Sequence, residues 1–359
     1  MNYLVYSNPE KAQYPICILV SAIRKAEIMD AYFKTGINPD DVLVMDLHYS
    51  KTKKKTPVSE IKAHLKEELV PELTRLGVRH VLVTDSDYFK VLAGVAKAEA
   101  HLGYVMPSSF GYFKVVYAPS YKAIFYDPVK VKAKITQAVD ALVADIQGQY
   151  AKPGEGIIKF AKYPDSPGYI QNWLNKLLEM DCDLTCDIEA FSLKHHTAGI
   201  GTITFCWNQH EGIAFAVDYQ AILGATEAPY GKQVFNTEVR AMLLKFFLAF
   251  KRKMIYHNIA YDVYNLIYQL FMVDTLDTEG LLDGVDVMLR NWDCTKLITY
   301  LATNSCAGNK LGLKTQAQEF SGNYAQDDIH DITKIPLPKL LEYNLVDGLS
   351  TWFTYHKHW

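Results

Sequence analysis

The chain has 359 residues, 49% of them apolar and 21% charged, and a formal net charge of −3. That balance excludes a disordered or low-complexity polypeptide and a uniformly basic one, and the length exceeds one ordinary core, so two folding units are expected. No apolar run reaches the roughly 20 residues of a membrane span, and MNYLVYSNPEKAQ lacks the basic-then-apolar start of a secretory leader, so a cytoplasmic protein without membrane contact is expected.

Residues 14–148 read as alternating strand and helix. YPICILV, DDVLVMDL, RHVLVTDS and FKVVYAPS have strand character, and helices are predicted over 23–33, 61–76 and 129–146. Such alternation implies α/β architecture around a largely parallel sheet. Composition then shifts. QGQYAKPGEGIIKFAKYPDSPGYI holds three prolines and four glycines, which divides the chain into a domain at 1–150, a linker at 151–168 and a second domain at 169–359. The second domain opens with strand candidates at 184–191, 199–207 and 212–219, close enough to be antiparallel neighbours. A helix over 238–250, a strand at KMIYHN and helices over 261–272, 292–303, 311–320 and 337–357 complete it. Cys17, Cys182, Cys186, Cys206, Cys294 and Cys306 form no C-x-x-C pair, which argues against a disulfide framework or a structural zinc site.

The stretch CDLTCDIEAFSL places Asp187 and Glu189 two apart on a predicted strand, so both side chains share one face. Two more acids lie in helical contexts: Asp262 in HNIAYDVYNLIYQLF and Asp347 in LLEYNLVDGLSTWF, the latter one turn after Tyr343. Singly, each has a plain explanation as a helix-terminus or surface acid. Together they supply the hard oxygen ligands that Mg²⁺ or Mn²⁺ prefers, and ions would neutralise charges that are costly to desolvate.

DIEAFSL, HNIAYD and YNLVD resemble, in order, the three motifs of the DEDD exonucleases, with Tyr343 marking the tyrosine subgroup. WDCTKLITYLATN is similar to the segment between the second and third motifs in the proofreading domain of family A DNA polymerases of the bacteriophage kind. The resemblance spans about 180–359 and implies a ribonuclease H-like fold, a mixed sheet flanked by helices. It implies two Mg²⁺ or Mn²⁺ ions, with Asp187, Glu189 and Asp347 at the first and Asp187 and Asp262 at the second, and phosphodiester hydrolysis from a 3′ end. Carried over by position, Tyr343 would orient the attacking water, Leu193 would wedge beside the terminal base, and Asn258 would support the site or touch the strand, or else serve as a structural cap. His195, His196 and His257 are expected to be loop or surface residues, and Lys251, Arg252 and Lys253 a solvated helix end, with phosphate contact as the alternative.

Residues 38–94 and YAPSYKAIFYDPVKVKAKI resemble a family 4 uracil-DNA glycosylase, implying an α/β/α sandwich over most of 15–145. The family's water-activating loop is missing, Ala118 stands where its signature has histidine, and Cys17 is the only cysteine of the unit, so no iron–sulfur site can form. A non-catalytic domain is expected. The run KTKKK at 51–55 could grip phosphate or be a solvated loop. The relatives continue into a polymerising domain, whereas this sequence stops twelve residues past Asp347. The expectation is therefore the proofreading exonuclease part of a family A replicative polymerase, split or truncated, acting on single-stranded 3′ ends or primer termini beside a separate polymerase. The alternatives are a ribonuclease D-like enzyme that trims RNA and a mainly DNA- or polymerase-binding accessory subunit.

Overall fold

In the first 155 residues, strands form where apolar runs are long enough to be buried on both faces. The computed structural model describes residues 2–6, 11–33, 36–50, 55–303, 310–324 and 331–359, and the chain divides into Met1–Glu155 and Gly156–Trp359. Most of KTKKK lies outside the described residues; Lys55 pairs with Asp87 at 3.2 Å.

The first unit runs β1 (Tyr3–Val5), β2 (Ile16–Val20), α1 (Lys25–Tyr32), β3 (Val42–Asp46), α2 (Val58–His64), α3 (Val70–Arg75), β4 (His80–Val83), α4 (Ser86–Ala93), β5 (Val105–Pro107), β6 (Lys114–Tyr117) and α5 (Pro128–Ile146). Its sheet order is β1-β3-β2-β4-β6-β5, parallel through β3, β2, β4 and β6 and antiparallel at both edges. Every residue of β2 is buried, the pattern of a parallel strand covered on both faces. The predicted helix at 61–76 is α2 and α3 joined by a π turn at Leu65–Leu69. Sequence reading missed α4, although its punctuation is clear: Asp85 accepts from the amides of Asp87 and Tyr88, and Gly94 ends the helix at φ 68°.

The second unit runs β7 (Phe160–Lys162), α6 (Pro167–Glu179), β8 (Leu184–Glu189), α7 (His195–Ala198), β9 (Thr202–Asn208), β10 (Glu211–Ala216), β11 (Tyr219–Ala221), β12 (Gly231–Gln233), α8 (Thr237–Ala249), β13 (Met254–Tyr256), α9 (Ile259–Leu270), α10 (Thr278–Met288), β14 (Trp292–Cys294), α11 (Thr295–Ala302), α12 (Leu313–Gln316), α13 (Gln318–Ser321) and α14 (Leu337–His358). Its main sheet is ordered β14-β13-β8-β9-β10-β7. Strands β8, β9 and β10 are antiparallel neighbours, while β8, β13 and β14 are parallel. Apart from edge strand β7, this is the ribonuclease H-like arrangement, with the first strand at the centre between the second and the fourth.

Several boundaries differ from expectation for identifiable reasons. The segment read as linker contributes β7, which pairs with β10 in parallel, and the start of α6. Its prolines mark an entry, since Pro167 occupies the first turn of α6. The helix expected over 292–303 begins as β14, because Trp292–Cys294 pairs with β13 before Thr295 starts α11. One face of the sheet packs against α6 and α8 through Trp173, Leu177, Phe205, Leu243 and Phe246, each such side chain contributing about 1.5–3 kcal/mol. The other face carries α14, with Leu345, Leu349 and Trp352 against Cys206 and Ala214.

Candidate metal centre

Strand β8 lies in the middle of the sheet, and its alternation sends Ile188 into the apolar layer under α6 and α8 while Asp187 and Glu189 emerge on the opposite face. Helix α14 crosses that face. Its close approach depends on Gly348, where an added Cβ would lie 2.7 Å from Cys206 Sγ and 3.0 Å from a methyl of Thr204. Thr185 Oγ1 donates to the Gly348 carbonyl at 2.9 Å, which fixes the crossing. Asp347 is thereby brought against β8. Carboxylate oxygens of Asp187, Glu189 and Asp347 lie within 4.8 Å of one another, a spacing that fits a divalent metal ion.

A fourth acid arrives from α9. Asn258 adopts the left-handed conformation, φ 63°, between β13 and α9, turning the chain so that Asp262 lies in the helix's first turn. Asp262 lines the same cavity, of about 320 Å³, as Asp187, Glu189 and Asp347. Tyr343, one turn before Asp347, also lines it, as do Tyr261, His257 and Lys314.

Burial is the largest influence on all four acids and raises each carboxyl above its ordinary range, and for Asp187, Glu189 and Asp262 repulsion from neighbouring acids adds to it. For Asp187 the repulsion comes from Asp262, then Asp347 and Glu189; for Glu189 and Asp262 it comes first from Asp347. Asp347 is raised to about 6, held there by the Tyr324 hydrogen bond and Lys314, which favour its ionised form. A cation would remove that repulsion. The donor set is all oxygen, as hard divalent ions require.

The acids are oriented by neighbours that pattern reading did not single out. Asn344 Nδ2 donates to Asp187 Oδ2 at 2.7 Å, while Asn344 Oδ1 accepts from Thr202 Oγ1 at 3.0 Å. The Tyr324 hydroxyl donates to Asp347 Oδ1. Lys314 places its ammonium 5.1 Å from the centre of the Tyr343 ring and pulls the Glu189 and Asp347 pKa values down, favouring their ionised forms. Asn344 carried a usable signal, since a polar residue three positions before Asp347 on the buried face of a helix must find a partner. Lys314 and Tyr324 carried none, because their reach depends on how 310–324 folds back over the cavity.

Six expected residues, Asp187, Glu189, Asn258, Asp262, Tyr343 and Asp347, thus line one cavity; Asn258 is exposed there and accepts from Lys296 Nζ at 3.0 Å. Leu193 does not line it; the side chain is 83% exposed on the turn after β8. His257 lies in the bend between β13 and α9, a loop position as expected, but faces inward. It lines the cavity with Nδ1 2.8 Å from Thr295 Oγ1, and burial, then Lys296, lowers its pKa to about 4, so the ring is neutral. Lys253 is likewise engaged, with Asp293 at 2.7 Å, and is no free helix-end charge.

No protein-family model and no curated protein matches this chain. Among solved structures, the chain is similar to NrnC of Brucella melitensis with bound Mg²⁺ at 17% identity, covering 56% of this chain and 79% of that one, TM-score 0.34. It is similar to the RNase domain of the yeast Pop2 protein at 13% identity, covering 58% and 89%, TM-score 0.37. It is also similar to RNase D of Escherichia coli, an exoribonuclease involved in structured RNA processing, at 14% identity, covering 55% and 44%, TM-score 0.34. Likeness this distant leaves the chemistry of the site to be read from its own residues. Among the described residues no helix is long and apolar enough to cross a membrane.

Proposed function

We propose that the second unit is a 3′–5′ exonuclease that hydrolyses single-stranded DNA one nucleotide at a time. The observation that carries this reading is the convergence of Asp187, Glu189, Asp262 and Asp347, from a strand and two helices, on one cavity beside Tyr343. Asp187, Glu189 and Asp347 would hold one divalent cation, and Asp187 with Asp262 a second. When bound, the cations supply an activated water and charge stabilisation on the phosphate oxygens.

The residues of the chain do the positioning. Tyr343 holds the incoming water in line with the phosphorus through its phenol, and Lys314 meets the non-bridging oxygens, where an ammonium stabilises accumulating negative charge. Asn344 and Tyr324 keep the carboxylates in the orientation that the ions need. Leu193, exposed beside the cavity's strand, offers an apolar contact to the terminal base. Water oxygen bonds to phosphorus as the P–O3′ bond breaks; the shortened strand leaves with a 3′-hydroxyl and the released nucleotide keeps a 5′-phosphate. His257, neutral and hydrogen-bonded, is no general base in this scheme.

Motif resemblance alone supports proofreading for a family A polymerase and a separately encoded polymerase partner. The test is a 5′-labelled single-stranded DNA incubated with Mg²⁺ or Mn²⁺, beside RNA of equal sequence. The expected result is a ladder shortening from the 3′ end of DNA, with nucleoside 5′-monophosphates released. Internal cleavage, or DNA left intact while RNA is trimmed, would overturn the reading.

A further inference from the structure

In the first unit two adjacent aromatic side chains stand almost wholly in water. Phe125 is 87% and Tyr126 85% exposed, with Val129 at 79% close by in sequence. The two rings meet edge to face at 5.4 Å. They do not ride on a loose loop. Tyr121, at the start of their 3₁₀ turn, is buried, its amide donating to Tyr32 Oη at 2.7 Å and its hydroxyl to the Ala22 carbonyl at 3.0 Å. On the other side Asp127 caps α5 by accepting from the Lys130 amide at 3.1 Å, and Pro128 opens the helix. The rings are thus presented on a spur fixed at both ends, pre-organised to meet something.

Charge indicates what that is. Residues 121–133 hold Lys122, Lys130 and Lys132 against Asp127 alone, in a chain whose net charge is −3. Asp127 is already occupied by the cap and by the Lys130 ammonium at 3.8 Å. We propose that this spur binds single-stranded DNA, with bases stacked on Phe125 and Tyr126 and phosphates met by Lys122 and Lys132. Flat π-faces flanked by lysines suit a strand that offers unpaired bases and a polyanionic backbone. A lipid surface fits less well, because the apolar residues of α5, Ile135, Ala138, Val139 and Leu142, are buried in the unit and leave no apolar helix face to enter a bilayer. The choice of DNA over RNA rests on the proposed function; the stacking chemistry does not depend on the acidic cavity.

The test uses the full chain in EDTA, so that nothing is cleaved, and follows the anisotropy of a fluorescein-labelled oligothymidylate. Phe125→Ala with Tyr126→Ala should weaken binding roughly 10-fold or more, the size of one or two lost base stacks. Lys122→Gln with Lys132→Gln should flatten the salt dependence by about one to two in log–log slope. Both variants should keep the wild-type melting temperature, since the changed side chains are exposed, and should keep Mg²⁺-dependent cleavage of a tetranucleotide. Unchanged oligothymidylate affinity in the aromatic variant would overturn the proposal. So would tighter binding of oligouridylate, or spur-dependent binding to phosphatidylserine vesicles without binding to DNA. Failure of the nuclease reading looks different: no cleavage by the wild type, with the binding difference intact.

Discussion

Asp187 and Asn344 are 157 residues apart in the chain and joined by a 2.7 Å hydrogen bond, and the acidic site depends on contacts of this kind. Asp187→Asn keeps a similar shape while removing one of the mutually repelling charges. It should lower DNA cleavage by at least about 100-fold, the rate equivalent of a few kcal/mol of lost electrostatic stabilisation. In EDTA the same variant should melt at a higher temperature than the wild type, and that opposite movement of activity and stability is the signature to measure. Tyr324→Phe and Asn344→Ala leave all four acids in place, so each should weaken Mn²⁺ binding by about 10- to 100-fold in calorimetric titration.

The pH dependence follows from the burial of these acids. A carboxyl such as Asp347, raised to about 6 from an unfolded value of about 3.9, binds more protons folded than unfolded between those values. Stability of the metal-free protein should therefore be highest at the acid side of that window and fall as pH rises through it. Melting in EDTA between pH 4 and 7 should show the decline, at roughly 2–4 °C for each kcal/mol, and Asp347→Asn should reduce it. The acids were legible in the sequence because two-residue spacing on a strand and four-residue spacing on a helix fix which side chains share a face. Lys314, Tyr324 and the inward turn of His257 were not, because they depend on long-range folding that no local period encodes.

Among the elements, α14 sets the geometry. Its period was readable, and its observed span, Leu337–His358, lies within a residue of the predicted 337–357. Its tight seating was not readable, since Gly348 inside a helix looks like a propensity defect costing about 1 kcal/mol relative to alanine. The structure reverses the sign: a methyl group there meets Cys206 Sγ at 2.7 Å, and overpacking of this kind costs about 1–3 kcal/mol. Gly348→Ala should therefore lower the denaturation midpoint and impair cleavage together, through displacement of Asp347. A rise in stability would mean that the helix can shift freely. Short elements were the least legible: β7 and β14 have three residues each and are strands only because the sheet supplies partners.

For the whole molecule, the division at Glu155/Gly156 falls within the proline- and glycine-rich stretch, which also hid strand β7. A fragment starting at residue 156 should fold and retain cation-dependent cleavage, while one starting at 169 loses β7 and leaves the β10 edge unpaired, so it should melt lower and aggregate. Equal behaviour of the two fragments would show that β7 is dispensable. Anomalous scattering from crystals soaked in Mn²⁺ tests the central claim most directly. Peaks are predicted in the cavity, one against Asp187, Glu189 and Asp347 and one between Asp187 and Asp262; manganese bound elsewhere with that cavity empty would contradict the account.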